Sequence, residues 1–87
     1  MQIMGFNRWD MDVPASALIG QALKFAEAVK SQGIAELREA YIAADQKLMW
    51  CSWDTENLEG LQAAFDEMNQ QSGLASELTP VEVFFQI

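Results

Sequence analysis

Histidine is missing altogether from this 87-residue chain, and with it goes the commonest protein ligand for zinc, nickel and haem iron. There is a single cysteine, Cys51, which excludes an intrachain disulfide and suits a reducing compartment. Basic residues are as sparse: five, standing singly as Arg8, Lys24, Lys30, Arg38 and Lys47, against 13 acidic ones, for a formal net charge of −8. Nucleic acid and anionic membrane surfaces are gripped by clustered Lys and Arg, so neither is expected as a partner. No apolar stretch approaches the ~20 residues of a membrane span. The opening MQIMGFNRWD has no basic leader running into a long apolar segment, so the expectation is a cytoplasmic protein without a signal peptide. Neither a Gly-rich phosphate loop nor a nucleophile–base pair is present, and no repeat or linker divides the chain.

What the chain has in excess is apolar surface. Hydrophobic residues make up 51%, including three Trp and five Phe. A domain of this size buries only about 60–65% of its unfolded surface. Apolar residues beyond the needs of one small core point to a second buried surface, usually supplied by oligomerisation. The acidity reads as a solubility device.

The pattern along the chain is β-α-β-β-α-β, a single domain over residues 1–87. QIMGFNRW alternates with period 2, as a half-buried strand does. Pro14 stands at the approach to a helix over residues 15–32, whose stripe is Leu18, Ala22, Phe25, Ala26 and Val29 and whose C-terminal signal is Gly33. IAELREAYIA and KLMWCSW, parted by a polar turn at Asp45-Gln46, read as an antiparallel hairpin. Asp54 or Thr55 is expected to cap a second helix with Glu56 and Glu59 in its first turn and Leu58, Leu61, Phe65 and Met68 as its stripe, ending at Gly73. LTPVEVFFQI, with Pro80 near its beginning, is the expected last strand. Two β-α-β crossovers joined by a hairpin predict an α+β, ferredoxin-like fold: one four-stranded antiparallel sheet with both helices on one face.

Parity then assigns side chains to the two faces. A turn centred on Asp45-Gln46 sets Ala43 opposite Leu48, Tyr41 opposite Trp50 and Glu39 opposite Ser52. Ala40, Ile42, Met49 and Cys51 then fall on the helix side, joined by Met4 and Phe6 and by Val81, Val83, Phe85 and Ile87. The other face is expected to carry Ile3, Gly5, Asn7, Trp9, Leu37, Glu39, Tyr41, Ala43, Leu48, Trp50, Ser52, Glu82, Phe84 and Gln86. That face is too aromatic for open water and too polar for a plain core. A homodimer pairing the two sheets would cover it, and any ligand site is expected there, with Asn7, Trp9, Glu39, Tyr41, Trp50, Ser52 and Phe84 as its residues.

Each of these residues also has a plainer use. Asn7 is β-averse within a strand, so its amide is engaged either by a neighbouring strand or partner copy or by a ligand. Trp9, Tyr41 and Trp50 are either interface filler or an aromatic cage. Glu39 and Glu82 are the acids of that face and would serve in proton transfer if dried, or else sit paired at a rim. Cys51 reads as a small hydrophobe beneath the helices. Carboxylates with Tyr41 and no imidazole are a poor set for zinc or nickel, so no metal and no cofactor are expected.

The order of elements resembles the dimeric α/β-barrel superfamily along the whole chain. The hairpin YIAADQKLMWCSWDTEN is similar to that of a small bacterial family of unknown role with nickel-binding members, matching at Tyr41, Asp45 and Cys51 with aromatics at Trp50 and Trp53. That family commonly has His two residues before the Tyr; Glu39 stands there, so nickel binding does not carry across. The first strand, MQIMGFNR, resembles that of the antibiotic-biosynthesis and heme-degrading monooxygenases of the superfamily. The likeness places Asn7 at their functional asparagine, while the axial His of heme degraders has no counterpart. The combined expectation is a homodimeric α/β-barrel protein that binds a small aromatic or apolar molecule between sheet and helices or within the barrel. The alternatives are a cofactor-independent monooxygenase or isomerase, and a purely structural or interaction module.

Overall fold

A computed structural model describes residues Met1–Ile87 in full. Its elements are β1 (Gln2–Arg8), α1 (Ala15–Ser31), β2 (Glu36–Ala43), β3 (Leu48–Asp54), α2 (Leu58–Ser72) and β4 (Ala75–Val81), with a short 3₁₀ turn, Ala44–Gln46, inside the β2–β3 hairpin. The strands form one antiparallel sheet in the order β2-β3-β1-β4. This is the expected ferredoxin-like α+β architecture.

Local chemistry explains where the elements stop. Pro14, extended at φ −63° and ψ 140°, leads into α1. At the other end the Gly33 N–H donates to Lys30 O at 3.0 Å and the Ile34 N–H to Val29 O at 2.9 Å, the paired bonds of a Schellman cap. Gly33 holds φ +72° there, a conformation that costs other residues about 1 kcal/mol or more. The cap of α2 differs from expectation. Asn57 fills it, its side chain accepting from the Gly60 N–H at 2.9 Å. Thr55 instead accepts from the Asn57 N–H at 2.8 Å and donates to Ile34 O at 2.7 Å, tying the approach to α2 onto the β2 side of the sheet.

The hairpin register is as expected, with Tyr41 opposite Trp50, Glu39 opposite Ser52 and Ala43 opposite Leu48. Three other assignments change. A bulge between Leu37 and Glu39 inserts Arg38 and sets Leu37 opposite Trp53, on the helix side; one extra residue reverses parity. In β1 the parity is the reverse of that expected: Ile3, Gly5, Asn7 and Trp9 are buried toward the helices, while Met4 and Phe6 lie on the open face with Gln2 and Arg8. Apolar residues occupy both faces of β1, so hydrophobicity alone does not choose between them. Space does. A Cβ on Gly5 would lie 3.3 Å from Leu78 and 3.5 Å from Trp53 Nε1, so the missing side chain is what lets Trp53 lie against the sheet.

The last strand is also displaced. β4 begins directly after the left-handed Gly73 cap and has paired with all of β1 by Val81, which faces Gln2. Glu82–Ile87 follow without regular structure, and Val83, Phe84, Phe85 and Ile87 are exposed rather than packed as strand residues. Pro80 is near the end of β4, on an outer strand where a missing N–H is tolerated.

Trp53, Phe65, Ile3 and Leu61 are the most deeply buried large side chains. Trp53 of β3 meets Phe25 of α1 edge-on at 5.9 Å and Phe65 of α2 edge-on at 5.7 Å, and the two Phe rings lie 4.6 Å apart. Edge-on aromatic pairs add about 0.5–1.5 kcal/mol each beyond their buried area. Gly5→Val would force branched carbons into this packing and is expected to cost about 1–3 kcal/mol in urea denaturation. Gly20→Ala, on α1 with nothing within 4 Å of the added carbon, is expected to add about 0.5–1 kcal/mol. Equal tolerance of both changes would contradict the packing role of Gly5.

Candidate functional site

Between α1 and the β2–β3 half of the sheet lies a cleft of about 280 Å³. Its walls come from Phe25 of α1, Leu37 and Ile42 of β2, Met49 and Trp53 of β3, and Phe65 of α2. Asn7 and Trp9 also line it, because the parity of β1 turns them toward the helices. No Asp, Glu, Lys or Arg is among the lining residues. The cleft stays open because small side chains, Ala22 on α1 and Ala40 on β2, stand where larger ones would fill it.

Asn7 is the principal buried polar group of the lining, and its own bonds are satisfied. Its Nδ2 donates to Met49 O at 3.3 Å and lies 3.5 Å from Cys51 Sγ, while Oδ1 accepts from the Ser76 hydroxyl at 2.6 Å. An amide in an inner strand thereby ties β1 to both its neighbours, β3 and β4. Leaving such buried groups unpaired costs about 1–3 kcal/mol. Trp53 Nε1–H, by contrast, is buried with no hydrogen-bond partner, its indole held in place by aromatic packing.

Cys51 projects toward the helices, as its parity in β3 requires, and lines the same cleft. Burial pushes its thiol up to about 11, partly offset by the Asn7 amide that donates to the sulfur. The thiolate, which is the nucleophilic form, is therefore scarce near neutral pH.

The open face of the sheet gathers a different set. Glu39, Tyr41, Trp50 and Ser52 lie there, as parity on the hairpin predicts, together with Met4, Phe6 and Leu48. The Tyr41 hydroxyl donates to the Glu39 carboxylate; that bond and the carboxylate's charge raise the tyrosine above its ordinary range. Gln2 Nε2 donates to the Ser52 hydroxyl at 3.1 Å. At one end of this face Arg38 reaches Asp54 at 3.2 Å and holds that carboxyl below its usual range. The seven residues singled out from sequence are therefore dispersed. Asn7 and Trp9 face the helices, four share the open face, and Phe84 lies outside the sheet, fully exposed. Of the cleft residues, Phe25 and Met49 read from sequence as core alone and Trp53 only as an aromatic of the hairpin. The one available signal was the small residues Ala22 and Ala40 among large neighbours.

No group of three or more Cys, Asp or Glu side chains is arranged to hold a metal ion, and no helix is long and apolar enough to cross a membrane.

The burial of Cys51 gives a pH signature. A raised folded-state pKa leaves stability intact below the unfolded value and erodes it as pH climbs toward the folded one. Stability should therefore fall between pH 9 and about 11, and less so in Cys51→Ala. In native protein at pH 8, alkylation of Cys51 should run at least about 100-fold slower than in urea. Equal rates would contradict the buried thiol.

Set against protein-family models, curated proteins and solved structures, the chain has no significant match in any of the three.

Proposed function

We propose that this protein is a homodimeric binding module of the dimeric α/β-barrel kind, holding one small uncharged aromatic or apolar molecule. The observation that carries the reading is the cleft between α1 and the sheet. Its volume of about 280 Å³ suits a ligand of one or two rings, near the lower end of known small-molecule sites. Its walls are aromatic and aliphatic, and its buried polar group, Asn7, is already hydrogen-bonded within the sheet. A site without a charged side chain selects by shape and apolar contact, and a chain of net charge −8 repels anions from its surroundings. Asn7 and Trp9, which face the helices and line the cleft, support placing the ligand between sheet and helices, one of the two positions expected, rather than within a barrel.

The open face supports the homodimer. Phe6 is 40% and Tyr41 61% exposed, with Trp50 between them and Met4 and Leu48 to either side on the same surface. A second copy laid on this face would bury them with charges left at the margin.

A second reading has one observation of its own. The hydrogen-bonded Glu39–Tyr41 pair stands beside Trp50, where a dimer would dry it and equip it to remove a proton from an activated C–H substrate. Oxidation of a quinol under air, lost in Glu39→Gln, would favour this cofactor-independent oxygenase or isomerase over the binding module.

N-Phenyl-1-naphthylamine, an uncharged aromatic dye, is expected to bind saturably. Ala22→Phe, which fills the cleft, should weaken it by about tenfold or more, or about 1.4 kcal/mol, with Gly20→Ala as an unaffected control. No saturation below about 1 mM, or indifference to Ala22→Phe, would remove the cleft from consideration. Sedimentation should give about twice the 9.7 kDa chain mass, reverting to one chain in Trp50→Glu. A monomer throughout would rule out the dimer.

A further inference from the structure

The segment Glu82–Ile87 and the outer edge of β2 are each incomplete in a way the other would repair. After Val81 the chain runs Glu-Val-Phe-Phe-Gln-Ile, β-prone, without proline or glycine, and with a single charge. Phe84 is fully exposed, and Val83, Phe85 and Ile87 are more than half exposed. Such a segment is a strand without a sheet.

The sheet has two free edges, β2 and β4. That of β4 contains Pro80, which has no N–H to offer a further strand. That of β2 is protected along only half its length. Its first half carries Glu36, Arg38, Glu39 and the bulge at Leu37/Glu39, the devices by which natural edges refuse partners. Its second half, Ala40–Ala43, has neither charge nor bulge nor proline. That half also forms one lip of the cleft. The cleft residues left exposed are Ile19 at 41%, Leu23 at 59% and Tyr41 at 61%, together with Ala40 and Gln21. The mouth thus opens between α1 and the unprotected stretch of β2.

The segment of the same chain does not reach this edge. Val81 lies at the end of the sheet shared with Gln2, Asp54 and Glu36, whereas Ala43 lies at the end shared with Leu48, Arg8 and Ala75. Reaching a position outside β2 means crossing four inter-strand gaps, about 19 Å, and travelling back along the strands about 14 Å more. Fully extended, the segment spans only about 20 Å, which leaves nothing to pair. Pairing of this segment with the β2 edge therefore requires a second copy.

We propose that Glu82–Ile87 of one copy adds as an outer strand to β2 of a second copy along Ala40–Ala43, where its alternate side chains close the mouth of the cleft. This goes beyond the pairing of open sheet faces and makes the site incomplete in a single chain. Main-chain hydrogen bonds supply the attachment, and the apolar side chains on one face of the added strand supply the lid.

Hydrogen exchange read by mass spectrometry on the full chain tests this at about 1 µM and about 200 µM. The expected result is that amides of Glu82–Ile87 and of Ala40–Ala43 slow together, by about tenfold or more, as concentration rises. Val83→Pro, placed in a segment outside the sheet and outside the core, should leave the fold intact and abolish the slowing at both places. Slowing at neither segment, or at one without the other, would overturn the proposal. So would a dimer that persists in Val83→Pro with Ala40–Ala43 still protected, an outcome that leaves sheet-face pairing standing.

Discussion

The indole of Trp53 lying over the bare backbone of Gly5 is the contact on which the remaining arrangement depends. Trp53 comes from β3, Phe25 from α1 and Phe65 from α2, so one side chain fixes both helices against the sheet. The space it occupies exists only if Gly5 faces the helices. Facing Gly5 inward turns Ile3, Asn7 and Trp9 inward with it, because a strand has no other freedom of parity. The buried amide of Asn7, the partnership with Ser76 on β4 and the apolar burden left on the open face at Met4 and Phe6 all follow from that choice.

The cleft is a consequence of the same packing carried one step further. Around Trp53 the rings fill the space between the layers, while toward the outer strand the facing residues shrink to Ala22 and Ala40. A well-packed hub beside a poorly filled margin gives a cavity with rigid walls on one side and an open lip on the other. Apolar cavities of this kind lack the polar partners that hold water in place.

The element order, the hairpin register and both glycine helix stops were legible because each rests on local chemistry: alternation, turn residues and the need for positive φ at Gly33 and Gly73. The face of β1 was not. Ile3 and Trp9 compete with Met4 and Phe6 on hydrophobicity, and the deciding factor, the volume of Trp53, sits some fifty residues away. The bulge at Arg38 left no mark that alternation could register, so Leu37 was placed on the wrong side. The last strand failed for a related reason. VEVFFQI has stronger strand character than ASELTPV, yet the length of β1 and the tight Gly73 turn assign the pairing to the weaker segment. Sheet geometry overrode propensity there. Of the residues singled out for a site, the four from the hairpin share the open face as parity predicts, while Asn7 and Trp9 face the helices and Phe84 lies outside the sheet.

The excess of carboxylates bears on the exposed Val83–Ile87 stretch in a way that concerns solubility more than fold. Short β-prone runs without proline and with little charge are the segments from which stacked-strand aggregates grow, and nothing in a single chain shields this one. What keeps copies from stacking indiscriminately is their mutual repulsion at a net charge of −8. Acidification that neutralises the carboxylates removes that repulsion and leaves the hydrophobic run in place. The charge thus acts as a colloidal guard for the strand, its repulsion rising as copies approach.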